Sequence, residues 1–378
     1  MSPKFIIMAA FFLQPVAFGS WLPQIPGVQE RLDLGPAELA LALLGLPTGI
    51  LLMLPFAGHL VGRIGSRNTL IFGFPVFLML VPLPVAAADL VSLFLLLALL
   101  GIGLSTIELG LNVEADVIEK RGTVSIMNRC HGFWSLGIMT GSLIGAGFLA
   151  LETSPLLAIG LLSMLLVPVT VIVCRMLPRH EAPVAEAEAR PSWRLPSPAI
   201  LGISLFVFGI TMTEGAVADW SAVYLKNVFA TAGMATGMGY VVFAMMVSLG
   251  RFLGDAAKER FGAVVLARLC LGSALGGMLL VVMAPVSAIV YLGLACVGLG
   301  VSVGFPLAVT ASADLGDRPA AENVAILSFI ALFGFLVGPP MIGFVAELAG
   351  LRSGLATLLP PLIFSMLLAG LLRRRRSV

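Results

Sequence analysis

The stretch Leu90–Leu104, LVSLFLLLALLGIGL, contains no charged residue and one polar side chain, Ser92. It continues from Ser105 to Gly122 as STIELGLNVEADVIEKRG, so carboxylates follow directly on an apolar run. A helix needs about 20 apolar residues to cross the roughly 30 Å hydrocarbon core of a bilayer. The stretch therefore predicts a membrane-spanning helix that carries acidic groups toward one of its ends.

The composition of the whole chain also indicates a lipid environment. Of the 378 residues, 59% are hydrophobic and 11% are charged, whereas soluble domains carry about 25% charged residues. The mean hydropathy is +1.07. The net charge of +2 is small, and the charges are clustered rather than spread into a basic face, which argues against a nucleic-acid partner.

The sequence lacks the residue patterns of common enzymes and metal sites. It contains no GxxxxGK[ST] phosphate loop and no HExxH, the motifs that would place phosphates or zinc. Its GxSxG match, Gly300–Gly304, lies inside an apolar run rather than at the strand-to-helix elbow that exposes a nucleophilic serine. The four cysteines are isolated, without a CxxC pair, and are predicted to be small buried side chains: Cys130, Cys174, Cys270 and Cys296. We therefore predict that the protein is not an enzyme and holds no cofactor and no metal.

Twelve apolar runs are long enough to cross a bilayer as helices, the only open-ended structure whose backbone groups are satisfied within lipid. They cover residues 5–23, 38–61, 69–87, 90–116, 124–150, 154–174, 199–225, 236–257, 263–284, 287–311, 323–347 and 353–372.

The lysines and arginines predict the orientation of these spans. If the N-terminus is cytoplasmic, eighteen of the 22 basic residues lie on the cytoplasmic side. Arg31, Lys226 and Arg352 then lie on the opposite side, and Arg251 lies inside a span. An excess of Lys and Arg marks cytoplasmic loops, so we expect both termini in the cytoplasm.

The two halves of the chain resemble each other at a fixed distance in sequence, which we call the repeat offset. Arg63-Ile64-Gly65 precedes Arg260-Phe261-Gly262 by 197 residues, and Gly137 and Gly141 precede Gly334 and Gly338 by the same number. Such a repeat is typical of transporters built from duplicated bundles. The repeat also pairs the first apolar segment with a later one, which favours a retained span over a cleaved secretory signal.

The fold class predicted from these observations is an all-α membrane protein with twelve transmembrane helices in two pseudo-symmetric six-helix bundles. The bundles are expected at residues 1–174 and 199–378, the second ending in a basic cytoplasmic tail. Residues 175–198 are rich in proline and charge and are expected to form a flexible cytoplasmic linker.

The chain resembles the major facilitator superfamily along its full length. The loop GHLVGRIGSR, Gly58–Arg67, is similar to the family's G-x-x-x-D-R-x-G-R-R signature, with Gly62 in place of the usual acid. In the second half an acid is present, in Glu259-Arg260-Phe261-Gly262, but Asp255 replaces the first glycine. The resemblance implies gating loops, to which we assign Arg63, Arg67, Asp116, Glu259 and Arg260, with the gating salt bridge expected in the second half.

Three further stretches resemble bacterial inner-membrane proteins of the YbjJ type. They are LNVE at Leu111–Glu114, NRCHGFWSLG at Asn128–Gly137, and GFPLAVTASAD at Gly304–Asp314, which is followed by FLVGPPMIG. The N-x-x-H-x-F-x-x-x-G pattern is also similar to the fucose–proton symporter branch. This resemblance implies the bacterial inner membrane as location and specifies no substrate.

Glu108 is the candidate for proton coupling. Glu108, Asn112 and Asp116 fall within about 80° of one another on a helix and form one stripe, whereas Glu114 lies well away from it. Glu108 sits roughly 7 Å past the middle of its span, where an ionised carboxylate costs about 2.5–3.5 kcal/mol and usually faces a cavity or a proton path. His131 lies at a similar depth on the fifth span, and its ordinary pKa of about 6.5 suits proton exchange. A satisfied packing role is the alternative for both residues.

In the superfamily that the chain resembles, the first, fourth, seventh and tenth spans line a central cavity. The candidate residues on these spans are Gln14, Trp21, Glu108, Asn112, Glu214 and Trp220. Aromatic, amide and carboxylate groups together suit a polar ligand such as a sugar; interfacial anchoring is the alternative for both tryptophans. Arg251 is expected to pair with Asp255 one turn on, and the glycines spaced four apart to permit close helix contact.

These features predict a monomeric secondary transporter that works by alternating access, with protons and a small polar, sugar-like solute as its partners in the bilayer. The nearest alternative is an exporter of drugs or metabolites driven by proton antiport. A remote alternative from another class is a membrane sensor that transports nothing.

Overall fold

The structure is a computed structural model that describes residues 2–121, 126–179 and 195–373, apart from the side chains of Asn128 and Ala321. Helices account for nearly all of these residues, and no β-strand occurs among them. Most of the expected linker and the arginines after Arg373 lie outside the described residues.

Fifteen α-helices occur in the described part of the chain. The first eight are α1 (Pro3–Trp21), α2 (Ile25–Arg31), α3 (Pro36–Leu43), α4 (Gly45–Ile64), α5 (Ser66–Leu80), α6 (Leu90–Arg121), α7 (Met127–Ala150) and α8 (Pro155–Arg175). The others are α9 (Pro198–Phe229), α10 (Met234–Phe261), α11 (Ala263–Met283), α12 (Ser287–Val301), α13 (Gly304–Ala313), α14 (Ala320–Ala356) and α15 (Leu359–Leu368). Single 3₁₀ turns lie at Leu22–Gln24, Leu83–Ala86 and Ala369–Leu372.

Two predicted spans are interrupted one turn before a proline. The second is divided between α3 and α4 around Leu44, and the tenth between α12 and α13 around Ser302. Proline has no N–H to donate to the carbonyl four residues earlier. Pro47 and Pro306 therefore cannot donate to the carbonyls of Leu43 and Ser302, at the points where the helices change.

Eleven described segments are long and apolar enough to cross a membrane, and the last, Glu322–Leu372, is 51 residues long. This segment is broken at Gly350, whose φ of 82° and ψ of 161° are not helical. Such a length is enough for two crossings, so the count is twelve, as predicted. We call α1–α8 the first bundle and α9–α15 the second bundle.

Contacts between Cα atoms divide the chain into two compact units. One comprises Met1–Ser192 with Ala232–Val241, and the other comprises Trp193–Thr231 with Val242–Val378. Within each, the large buried side chains include tryptophan and phenylalanine. Many leucines and phenylalanines remain exposed on the helices, among them Leu52, Phe56 and Phe72, as expected for surfaces that contact lipid tails.

The internal repeat is visible in the backbone. Gly65 and Gly262, which are separated by the repeat offset, both follow the end of a helix and have positive φ, 82° and 77°. A Cβ at Gly101 would lie 2.1 Å from the carbonyl oxygen of Leu46, and a Cβ at Gly298 would lie 2.4 Å from that of Phe243. Both members of the second contact stand one repeat offset after those of the first, so the two bundles repeat their helix packing as well as their sequence.

The predicted glycine faces mediate close helix contacts. In the first bundle, α7 packs on α1 so closely that a Cβ at Gly137 would lie 2.1 Å from the carbonyl oxygen of Phe12. In the second bundle α14 packs on α9, and a Cβ at Gly334 would lie 2.4 Å from Thr211 Oγ1. The Thr211 hydroxyl donates to the carbonyl of Ala331 at 2.9 Å across this contact. Small residues allow such approach of helix backbones.

Arg31 and Arg352, which the sequence places on the side with few basic residues, have equivalent roles in the two bundles. Arg31 donates to the carbonyls of Val85 at 3.0 Å and Ala87 at 2.7 Å. Arg352 donates to the carbonyl of Val282 at 2.9 Å, and Val282 is the counterpart of Val85 in the repeat. Each guanidinium therefore satisfies carbonyls at the end of the third span of its bundle.

Candidate functional site

The stripe predicted on α6 is partly exposed in the structure. Glu108 and Asn112 are half-buried on one continuous helix, whereas Glu114 is fully buried. The Asn112 amide donates to the backbone carbonyl of Glu108 at 2.8 Å and so turns back onto its own helix. No hydrogen bond or ion pair joins the Glu108 carboxylate to a described residue. Glu108 is thus an uncompensated carboxylate well inside a 32-residue apolar helix.

Gln14 and Trp134 form a polar pair between α1 and α7. The indole Nε1 of Trp134 donates to Gln14 Oε1 at 2.6 Å. Gln14 is fully buried, and its Nε2 has no hydrogen-bond partner among the described residues. One turn earlier on each helix, the rings of Phe11 and His131 meet edge-to-face with centroids 5.5 Å apart. The structure therefore brings Gln14 and His131 to neighbouring turns of one helix contact, and no hydrogen bond joins His131 to Glu108.

Glu114 is held inside the first bundle. Its carboxylate accepts a hydrogen bond from Ser66 Oγ at 2.6 Å, and both residues are buried. Arg67, next to Ser66, donates to the carbonyls of Arg175 at 2.6 Å and Leu177 at 2.9 Å. Arg67, assigned to a gating loop, thus satisfies the end of α8, and the start of α5 is tied to α6 and α8.

We expect Ser66→Ala to lower the free energy of unfolding by about 1.5–3 kcal/mol, because a buried carboxylate loses one of its hydrogen bonds. The measurement is thermal unfolding of the purified protein in detergent. Ser163→Ala is the matched control, since Ser163 is 3% exposed and its hydroxyl has no partner. Equal melting temperatures for the two variants would contradict the role given to the Ser66–Glu114 bond.

The remaining gating candidates of the first bundle do not form a network with one another. Asp116 pairs with Lys120 at 2.7 Å on the surface of α6. Arg63 is exposed and has no ion pair with a described residue. Glu119 accepts from the backbone N–H groups of Ile126 at 2.7 Å and Met127 at 3.0 Å. It thereby satisfies donors at the start of α7, where a helix leaves them open and favours negative charge.

In the second bundle Glu214 forms an ion pair with Arg251. The distance from Arg251 Nη2 to Glu214 Oε1 is 3.0 Å, and the two side chains are 16% and 19% exposed. The expected pairing of Arg251 with Asp255 is wrong, because Asp255 is exposed and has no ion pair with a described residue. Because Arg251 contacts α9 at this point, the Glu214 carboxylate lies nearer to it than the Asp255 carboxylate, which is on the same helix as Arg251.

Trp21 and Trp220 are 2% and 0% exposed. Neither has the exposed indole of an interfacial anchor. Trp220 Nε1 is buried and no residue that the structure describes bonds to it. The adjacent Asp219 is half-buried, also without a described partner. Two polar groups near the second half of α9 are therefore left without a described partner.

The second gating loop borders an open cavity of about 870 Å³ within the second bundle. Glu259 lines this cavity and has no ion pair with a described residue, while the Arg260 guanidinium lies over the Phe261 ring at 5.3 Å. The salt bridge expected in this half is therefore not formed with a described residue. Ala263 and Ala311 also line the cavity. They are the repeat counterparts of Ser66 and Glu114, whose side chains bond each other in the first bundle.

The end of the expected linker is fastened to the second bundle. Ser197 donates to Asp317 at 2.5 Å and Asn323 donates to it at 2.8 Å. These hydrogen bonds, first that of Ser197, hold the pKa of Asp317 below its usual value. The Arg318 side chain reaches both the Glu322 carboxylate at 2.6 Å and the carbonyl of Leu195.

The sequence did not predict one of these residues, Trp134, nor one of these pairings, that of Glu214 with Arg251. Trp134 lies three residues after His131, on the same helical face, and that spacing was a signal for a shared site. The pairing of Glu214 with Arg251 joins residues 37 positions apart, and no sequence spacing predicts it.

Twelve apolar helices in two repeated bundles, with carboxylates held inside the spans, define a multi-pass membrane protein of the transporter class. The chain belongs to the Major Facilitator Superfamily, whose family model matches residues 7–324.

Known proteins of this family are similar over most of their length. An uncharacterised MFS-type transporter of Yersinia pestis is 30% identical over 345 residues, which covers 90% of this chain and 88% of the relative. The crystal structure of the nucleoside transporter NupG superposes with a TM-score of 0.76 at 14% identity, covering 98% of this chain and 99% of the other. The fucose:proton symporter FucP of E. coli gives 0.68 at 16% identity, covering 99% of each chain. The structural similarity establishes the fold.

Proposed function

We propose that the protein is a proton-coupled secondary transporter of a small polar solute in the bacterial inner membrane. Its two six-helix halves, residues 1–174 and 199–378, work by alternating access. The linker of residues 175–198 connects them in the cytoplasm, where both termini also lie. The bias of basic residues supports this orientation. The protein acts as a monomer.

The observation that carries the proposal is the environment of Glu108. Its carboxylate is half-buried inside an apolar helix and has no described hydrogen bond or ion pair. Such a group is costly when ionised and is kept where it exchanges protons or contacts solute. Its partial exposure meets a requirement of proton exchange, because a sealed side chain would have no path for a proton.

Gln14 and Trp134 support a polar solute. The Trp134 indole fixes the orientation of the Gln14 amide through Oε1, so that Nε2 remains as a donor without a partner. A buried donor without a partner costs free energy. Because Gln14 is 0% exposed in this structure, a hydroxyl or carbonyl oxygen of the solute would recover that free energy only in a conformation in which the contact between α1 and α7 opens. Among the structural neighbours, one is a nucleoside transporter and another a fucose:proton symporter, both with polar cargo.

Reconstitution into proteoliposomes with an imposed pH gradient tests the proposal. Radiolabelled sugars and nucleosides are offered, and we expect accumulation of at least one solute that a protonophore collapses. Inward accumulation with inward proton flow indicates symport. Efflux against inward proton flow indicates the antiport exporter instead, and transport indifferent to the gradient would contradict proton coupling.

A further inference from the structure

The Glu214–Arg251 pair lies within the spans of the second bundle. Arg251 stands ten residues before the end of α10 at Phe261, about 15 Å along the helix. Glu214 stands sixteen residues into α9, about 24 Å from its start. Each side chain keeps part of its surface accessible, 16% for Arg251 and 19% for Glu214.

The pair distinguishes the second bundle from the first. The positions one repeat offset earlier hold Leu54 for Arg251 and Ala17 for Glu214. Conversely, the position one repeat offset after Glu108 holds Phe305. The first bundle therefore carries an intramembrane carboxylate, Glu108, at a position that is apolar in the second. The second bundle carries an intramembrane guanidinium, Arg251, at a position that is apolar in the first. Helix packing does not require the pair, because the first bundle repeats that packing without it.

We propose that Arg251 is a binding group for the anionic part of the solute, and that the Glu214 carboxylate occupies Arg251 when the solute is absent. This inference rests on the proposed function and narrows its solute to an organic anion. A guanidinium forms charge-assisted hydrogen bonds with carboxylate and phosphate through planar donors. Arg251 Nη2 donates to one oxygen of the Glu214 carboxylate at 3.0 Å, so an incoming anion would compete with Glu214 for this guanidinium.

For electrostatic reasons, one anionic group of the solute replaces one carboxylate, that of Glu214, at Arg251. Removing one member of a partly buried ion pair leaves an uncompensated charge, which is strongly unfavourable. An anion at Arg251 therefore binds best when Glu214 is neutral. The other charged groups of these two helices are separate from the pair. On α9, Asp219 lies five residues on from Glu214, about 140° round the helix, and Lys226 lies in the last turn. On α10, the remaining charged groups lie toward the end of the helix: Asp255, Lys258, Glu259 and Arg260.

Binding measurements on the purified full-length protein test this inference without a proton gradient. Thermal unfolding is followed during titration with gluconate, acetate or inorganic phosphate, and with sorbitol, which matches gluconate but has no carboxylate. We expect Glu214→Gln to bind at least one of the anions about tenfold more tightly than the wild type, because the competing carboxylate is gone. The double variant Glu214→Gln/Arg251→Gln should lose this binding, and sorbitol should show no such difference.

Arg268→Gln serves as a control for general charge effects, since Arg268 is exposed on α11 in the same bundle. If Glu214→Gln does not fold, Glu214→Asp replaces it and should give a smaller gain in anion affinity.

Equal anion affinity in the wild type and the Glu214 variant overturns the inference. So does anion binding that survives loss of Arg251. Comparison of the affinities for gluconate and for inorganic phosphate shows whether the site prefers a carboxylate or a phosphate group. Transport of a neutral solute driven by protons and indifferent to Arg251→Gln would overturn the inference while the proposed function stands.

Discussion

Glu108→Gln is expected to abolish proton-driven transport while the amount of protein in the membrane stays unchanged. The amide keeps the size and polarity of the side chain but cannot bind and release a proton. Because no described residue pairs with Glu108, its replacement breaks no salt bridge, and folding should be preserved. The measurement is solute accumulation in proteoliposomes under an imposed pH gradient, where we expect a fall of at least about 100-fold, with exchange of solute in the absence of a gradient retained.

Asp219→Asn is the matched comparison for this experiment. Asp219 is also a half-buried carboxylate without a described partner, and it lies on α9 of the other bundle. If Asp219→Asn abolishes the gradient response and Glu108→Gln leaves it intact, proton coupling belongs to the second bundle. Unchanged accumulation in Glu108→Gln removes Glu108 from the mechanism. His131→Gln tests whether His131 takes part in proton exchange. No hydrogen bond joins His131 to Glu108, so we expect this variant to transport more slowly but to remain coupled to the gradient.

Gly141→Ala is expected to lower the free energy of unfolding by about 3 kcal/mol or more, at the upper end of overpacking effects. The new Cβ would lie 2.0 Å from the carbonyl oxygen of Val16 and 2.8 Å from its carbonyl carbon. These are backbone atoms of α1, which cannot rotate away as a side chain can. Helices α1 and α7 must therefore move apart. This movement also weakens the contact between Gly137 and Phe12, one turn away. Thermal unfolding in detergent measures the loss.

Gly147→Ala on the same helix is the control. No atom lies within 4 Å of its added Cβ, and alanine favours a helix over glycine by about 1 kcal/mol. We expect an unchanged or slightly higher melting temperature for this variant. A Gly141→Ala protein as stable as Gly147→Ala would show that α1 and α7 do not pack as closely as described.

The membrane fold could be predicted from the sequence because it depends on local quantities. Apolar runs such as Leu90–Leu104 specify spans whatever surrounds them, since an unpaired backbone in lipid forces each run into a helix. The constant repeat offset predicted two similar bundles, and the glycine spacings predicted where helices approach closely. The ends of the spans were less well predicted: α6 and α9 extend to 32 residues each, and the breaks around Leu44 and Ser302 depend on individual prolines.

The candidate site was only partly predictable. The sequence selected Glu108, Gln14, His131 and Glu214 because polar groups inside apolar spans are costly and therefore conspicuous. It did not select Trp134, which orients Gln14, and it paired Arg251 with the wrong carboxylate. In each case the partner lies on another helix, 120 residues away for Trp134 and Gln14 and 37 for Arg251 and Glu214.

The amino-acid sequence is therefore sufficient to establish that this chain crosses the membrane twelve times, repeats one bundle, and keeps charge at a few positions inside the spans. Which of those charges are compensated is known only from the packed helices: Arg251 compensates Glu214, and no described counter-charge lies beside Glu108. The physical reason is that insertion into lipid depends on the hydropathy of each segment alone. The cost of a buried charge depends instead on atoms within a few ångströms, and helix packing supplies those atoms from distant parts of the chain.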